Sequence, residues 1–104
     1  MVEVRQHEAF AKWLRKLPDR MAKARILVRI ARVEQGNLGD HKSVGGGVSE
    51  LRIPYGPGYR IYYGMRGNTM IVLLCGGDKG SQESDIAKAR ELITELDHEQ
   101  DDQV

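Results

Sequence analysis

Arg52 and Arg60 carry the clearest chemical consequence in this chain of 104 residues. They fall in two β-rich segments, Val48 to Ile53 and Tyr59 to Met65, separated by Pro54-Tyr55-Gly56-Pro57-Gly58. If those five residues form a hairpin loop, Ile53 lies opposite Tyr59, and Arg52 stands across from Arg60 on the same face. Like charges so placed repel each other. Two readings stay open at this point. The guanidinium groups splay into water or pair with Glu50 and Asp78, or they share an anion. Phosphate suits a pair of guanidinium forks. Tyr62 follows on that face, opposite Glu50. Lys79, just past the following strand, and Lys42, in the glycine-rich stretch before the hairpin, could close around a bound strand of nucleic acid. Taken singly, each reads as a solvated surface lysine.

Other reactive residues form no pattern. His7, His41 and His98 are scattered, none at the i, i+4 spacing of a helical metal site, and no metal or other cofactor is expected. The single cysteine, Cys75, ends an apolar strand without an activating partner, so an inert buried thiol is expected. Gly45-Gly46-Gly47 lacks the Lys-Ser/Thr that a phosphate-binding P-loop requires.

The elements that must position these residues follow from periodicity. Val2 and Val4 alternate with charged neighbours, as in a short strand. Phe10, Trp13, Leu14 and Leu17 have helical spacing, and Pro18 ends that helix. Asp19 caps a second helix over 20–35, closed by Gly36. On it, Arg25, Arg29 and Arg32 share one face and offer a second basic surface. Residues 36–47 read as loop. Strands over 48–53, 59–65 and 69–75 follow with tight turns, then a loop over 76–80. Ser81 caps a last helix with Ile86, Ala89, Ile93 and Leu96 as its apolar stripe. The order β-α-α-β-β-β-α predicts one α+β domain over 1–96, a small antiparallel sheet with an N-terminal helical hairpin and a C-terminal helix. Residues 97–104 read as an acidic, frayed tail.

Hydrophobic residues make up 40% and charged residues 30%, a globular composition with one core. No apolar run approaches the roughly 20 residues of a membrane span, and the first residues lack the apolar region of a signal peptide, so a cytoplasmic protein is expected. The net charge of +1 is an average. Residues 1–80 hold 14 Lys/Arg against 7 Asp/Glu, a net +7; residues 81–104 hold 2 against 8, a net −6. A basic body suits a polyanion partner, and the acidic end either keeps it soluble or competes with that polyanion for the basic surface.

Gly39-Asp40-x-Lys42-x-Val44-Gly45-x-Gly47-Val48-x-Glu50-Leu51-Arg52-Ile53, with Gly56-Pro57-Gly58-Tyr59-Arg60-x-Tyr62-Tyr63, resembles the addiction-module toxins of the RelE/ParE superfamily, most closely the phage-derived HigB-type branch. Leu74-Cys75-Gly76-Gly77-Asp78-Lys79-x-x-Gln82-x-x-Asp85-Ile86 and Phe10-x-x-Trp13-Leu14-x-x-Leu17 extend the resemblance to about residues 8–90. It implies a RelE-like fold and the toxin of a type II toxin–antitoxin module. It implies a cognate antitoxin, usually a helix-turn-helix protein. For RelE-like members it implies metal-free, ribosome-dependent cleavage of mRNA; for ParE-like members, poisoning of DNA gyrase. A third reading is an inactive member that only binds its antitoxin.

By the same resemblance, Arg60 matches the arginine at the scissile phosphate, Lys79 lies near a second basic position, and Arg52 matches a basic residue of the preceding strand. Val48 and Glu50 stand where RelE-like enzymes carry lysines, and Asp85 stands where they carry a tyrosine. The expected catalytic set is Arg52 and Arg60 on the phosphorane, Lys79 as acid or phosphate clamp, and Glu50 or a lysine as base. Tyr62 would stack a base or donate a hydrogen bond. Lys42, Arg25, Arg29 and Arg32 are the expected RNA contacts.

Overall fold

The computed structural model describes residues 2–102, with side chains as far as residue 98. The chain runs β1 (Glu3–Gln6), α1 (Glu8–Lys16), α2 (Arg20–Glu34), β2 (His41–Gly45), β3 (Val48–Ile53), β4 (Tyr59–Arg66), β5 (Met70–Asp78), a 3-10 turn (Lys79–Ser81) and α3 (Gln82–Asp102). The strands form one sheet in the order β1-β5-β4-β3-β2. This is the expected α+β architecture, with two additions. The sheet is mixed, because β1 pairs with β5 in parallel while the other four strands form an antiparallel meander. Part of the expected loop over 36–47 is a strand, β2, at the sheet edge.

The two helices before the meander end where local chemistry dictates. The His7 ring accepts a hydrogen bond from the Ala9 N–H at the start of α1, and Leu17, forced extended before Pro18, stops it. Asp19 caps α2 by accepting from the Met21 and Ala22 N–H groups. Ala22, Ile26, Ile30 and Val33 recur at three- and four-residue intervals, and all four are buried. They pack with Phe10 of α1 against Leu51, Ile53, Ile61, Tyr63, Ile71 and Leu73 of the sheet. Each fully buried aliphatic side chain here contributes about 1.5–3 kcal/mol.

The β2–β3 turn explains the extra strand. Gly46 and Gly47 have φ of 66° and 81°, a backbone that reverses the chain in two residues and that glycine adopts without strain. Residues 41–45 therefore fold back along β3, with Lys42 opposite Glu50.

The second face of the sheet is covered by α3, whose Ala89 and Ile93 meet Val48, Tyr62, Leu74 and Cys75. A bulge at Leu74 makes this possible. Tyr62 pairs with Cys75 and Tyr63 with Leu73, so Leu74 is the extra residue, and Leu74 and Cys75 both join the α3 side. The strand then continues through Gly76 and Gly77, which were expected to be loop. Neighbouring elements lie too close there for side chains. A Cβ on Gly76 would sit 2.4 Å from the Trp13 ring, and one on Gly77 only 1.8 Å from the Asp85 carboxylate. Ser81 does not cap α3 directly. Asp78 accepts from the Gly80 and Ser81 N–H groups, and the Ser81 hydroxyl faces back to the Asp78 N–H.

α3 runs away from this corner toward the far end of β4, where Arg66 pairs with Asp97 at 2.7 Å. Six residues of strand, about 20 Å, separate Arg66 from Arg60. The backbone of 97–102 continues the helix at that far end, and residues 103 and 104 of the expected tail lie outside the described residues. The backbone up to Asp102 thus leaves the body at the end of the sheet remote from the paired arginines. Among the described residues, no helix is long and apolar enough to cross a membrane.

Candidate functional site

The β3–β4 hairpin has the register read from its loop length: Arg52 pairs with Arg60 and Glu50 with Tyr62. Paired residues of antiparallel strands project to one side of the sheet, and here that is the α3 side. α3 begins after the 3-10 turn and covers Tyr62, leaving the arginines at the open end.

Their repulsion is relieved by carboxylates. Glu50 is 1% exposed. Its Oε2 lies 3.5 Å from Arg60 Nε, and its Oε1 lies 4.0 Å from an Arg52 nitrogen. Gln82, the first residue of α3, donates its side-chain N–H to Glu50 Oε2 at 3.2 Å. Arg52 also donates to the Asp40 carboxylate from Nη2 at 2.7 Å and from Nε at 3.2 Å. Asp78, weighed as a partner for the arginines, is instead occupied in the 3-10 turn. A carboxylate buried between two guanidinium groups is a demanding arrangement, because either partner left alone would carry an uncompensated charge.

Lys79 joins the cluster from the 3-10 turn. A Cβ placed on Gly58 would lie 3.6 Å from Lys79 Cβ and 3.9 Å from Arg60 Nη1, so the root of the Lys79 side chain and the guanidinium tip of Arg60 lie beside the same loop residue. Lys42 is exposed on β2 across from Glu50. Lys42, Glu50, Arg52, Arg60 and Lys79 are therefore gathered at one end of one sheet face.

Tyr62 belongs to the core instead. It is 0% exposed, so no base can reach its ring, and the stacking role is ruled out by burial. Its hydroxyl has no hydrogen-bond partner among the described residues, and Arg60 Nε likewise has none. Burial, with Glu50 and Asp85 nearby, raises the Tyr62 pKa and keeps the phenol protonated.

Arg25, Arg29 and Arg32 lie on α2, which packs on the opposite sheet face. Arg29 has partners within the chain. Its guanidinium donates to the backbone carbonyls of Leu38, Arg52 and Asp40 at 3.0, 2.8 and 2.6 Å. Those bonds tie α2 to the strand bearing Arg52 and to the loop bearing Asp40, and they engage three of the five guanidinium N–H donors. Arg25 sits over the Tyr55 ring at 4.7 Å.

Sequence reasoning missed Asp40, Gln82 and Asp85. Asp85 accepts from the Ser81 hydroxyl at 2.5 Å and fills the space left by Gly77. Paired glycines ending an apolar strand were the available signal for that close approach. Asp40 carried no local pattern, since its partner is 12 residues away.

Cys75 is 3% exposed, and burial pushes its thiol from the ordinary 9.0 up to about 11. In the unfolded chain the thiol ionises first, so its contribution to stability is complete below pH 9.0 and is lost as pH rises to about 11. At pH 8 a disulfide reagent such as DTNB should react with the folded chain roughly 100-fold more slowly than with the urea-unfolded chain. Equal rates would mean the thiol is accessible and unshifted.

Among the described residues, no group of three His, Cys, Asp or Glu side chains is arranged to hold a metal ion. A five-stranded mixed sheet, helices on both faces and a cationic cluster at one open end define a small RelE-like α+β protein. Residues 12–94 match the family of phage-derived Gp49-like proteins, and the chain belongs to that family, which is related to RelE/HigB-type toxins. An uncharacterised protein of Haemophilus influenzae is 45% identical over 95 residues, covering 91% of this chain and 96% of its own length.

Proposed function

We propose that this chain is the toxin of a toxin–antitoxin module and that it acts as a ribosome-dependent mRNA endoribonuclease. The observation that carries the reading is the buried Glu50 carboxylate held between Arg60 and Arg52 on an open sheet face. RNA cleavage without an external nucleophile needs three things: a base for the 2′-OH, cationic donors on the phosphorane, and an acid for the leaving oxygen. In the proposed step Glu50 takes the 2′-OH proton, the 2′-oxygen bonds to phosphorus, and the P–O5′ bond breaks. Arg52 and Arg60 hold the non-bridging oxygens, and Lys79 gives a proton to the departing 5′-oxygen. The products are a 2′,3′-cyclic phosphate and a 5′-hydroxyl end. Glu50 is as buried as Tyr62, so the step requires the Arg52 side chain, 36% exposed, to move aside and admit the 2′-OH.

Asp40 competes with the phosphate for Arg52. Asp40→Asn removes that charge and keeps the backbone carbonyl that Arg29 uses. An exposed pair of this kind is worth about 0.2–1 kcal/mol. The variant should therefore bind single-stranded RNA more tightly at low salt, by up to about fivefold, read by fluorescence anisotropy. Unchanged affinity would remove Arg52 from the phosphate site.

Induction of the chain in a bacterial host, followed by mapping of RNA 5′ ends, tests the function itself. Discrete new 5′-hydroxyl ends inside coding regions are expected. DNA breaks with intact mRNA would replace the reading with gyrase poisoning, and unimpaired growth would leave a protein that only binds its antitoxin.

A further inference from the structure

The two oxygens of the Glu50 carboxylate are not equivalent. Oε2 accepts from the Gln82 side-chain N–H at 3.2 Å and lies 3.5 Å from Arg60 Nε. Oε1 lies 4.0 Å from an Arg52 nitrogen, past hydrogen-bond reach. Arg60 Nε, for its part, has no hydrogen-bond partner among the described residues. The arginines therefore supply charge to the carboxylate, and the directional contact comes from Gln82. That amide is held in place by its backbone. Asp78 accepts from the Gly80 and Ser81 N–H groups just before it, and the Ser81 hydroxyl donates to Asp85 one turn into α3 at 2.5 Å. Asp85 in turn sits in the space that Gly77 leaves open. The start of α3 is thus fixed on β5, and its first residue is aimed at Glu50.

We propose that Gln82 is the positioning residue of Glu50: its amide holds Oε2 and leaves Oε1, on the Arg52 side, as the oxygen that takes the 2′-OH proton. This rests on the nuclease reading above. Oε1 is the oxygen on the accessible side, since the Arg52 side chain is 36% exposed and that of Arg60 13%. A neutral amide suits the task. It favours the ionised carboxylate by a hydrogen bond, yet it does not weaken the base as a third cation would. Other groups face this carboxylate as well. Arg52 shares its strand, Arg60 and Tyr62 lie on β4, Lys42 stands opposite on β2, and Lys79 reaches the same end from the 3-10 turn. Past Tyr62 lie Cys75 on β5 and Asp85 on α3. Tyr62 stays protonated and the Cys75 thiol is pushed up to about 11, so neither titrates in acid. Asp85 is the competing carboxylate, and the test must separate it from Glu50.

The test is cleavage of a defined mRNA on programmed ribosomes by the full chain, followed across the acid limb and the plateau of the pH–rate profile. Gln82→Met removes the donor and keeps side-chain length and helix propensity. Its acid limb should move to higher pH by about one unit, because the ionised carboxylate has lost a charge-assisted hydrogen bond. Below the limb its rate should therefore fall about tenfold. Its KM for the programmed ribosome should stay within about twofold of the parent's, since the amide acts on the base and not on bound RNA. Gln82→Lys keeps a donor and adds a charge, so its limb should move to lower pH. A merely structural residue would not shift the limb in opposite directions. In a Glu50→Gln background, Gln82→Met should lower the residual rate no further, whereas a limb that belonged to Asp85 would persist there and still move. An acid limb at the parent's pH in both single variants, or a further loss in the Glu50→Gln background, would overturn the role of Gln82 and leave the nuclease reading standing. A parent chain that cleaves no programmed mRNA would overturn both.

Discussion

Arg60→Ala is expected to lower RNA cleavage by about 10²–10³-fold and to abolish growth inhibition, the loss typical of removing one donor aimed at transition-state charge. Arg60 is the better-held of the two arginines, with 13% of its side chain exposed against 36% for Arg52. A guanidinium so enclosed is already fixed when the phosphate arrives, and little order is lost at the transition state. The same enclosure gives the alanine variant a structural cost, because Glu50 would lose a cationic partner while staying buried. Arg60→Lys separates the two effects. It retains the charge beside Glu50 and should melt close to the parent, but it loses the planar fork, so cleavage should still fall at least tenfold. Full toxicity of Arg60→Ala would remove this cluster from the mechanism.

The legibility of the site follows from how local each feature is. The Arg52–Arg60 pairing was readable because a five-residue loop between two β-rich runs fixes one register, and strand geometry does the rest. The caps at Asp19 and Leu17 were readable because they depend on residues one to three positions away. β2 was harder to see. Its side chains are mostly exposed at a sheet edge, so hydrophobic alternation had nothing to report, and the signal lay in Gly46-Gly47, a pair suited to a two-residue hairpin. Gly76 and Gly77 misled in the opposite sense: glycine marks loops by its flexibility, but here it marks strand positions against which Trp13 and Asp85 pack. The roles of Asp40, Arg29 and Gln82 depend on partners 9 to 32 residues distant, which no periodicity encodes. Arg29 shows the consequence most directly. It shares a face with Arg25 and Arg32 in the sequence, yet its guanidinium closes the joint between α2 and β3.

Glu50→Gln is expected to have the second large effect, a fall in cleavage of about 10²–10⁴-fold, the span of a general base. Glutamine is nearly isosteric and can still accept from Gln82 beside Arg60, so the positions of the surrounding groups are retained. Two other roles for Glu50 have to be separated from base catalysis. If the carboxylate only orients the arginines, glutamine should preserve much of the rate, and the pH–rate profile should keep the parent's acid limb. If it acts as the base, the variant should lose that limb along with the rate, because the carboxylate that accepts the 2′-OH proton is gone. If it serves only to neutralise charge, its removal leaves Arg52 and Arg60 facing each other with Asp40 as the remaining partner of Arg52. RNA should then bind more tightly while cleavage is retained. The proposal therefore requires a specific pair of results in one variant: RNA affinity equal to or above the parent's, and a rate that has collapsed and lost its acid limb. A Glu50→Gln enzyme that cleaves within threefold of the parent would exclude Glu50 as base and transfer that role to a lysine, with Lys79 and Lys42 the nearest candidates on this face.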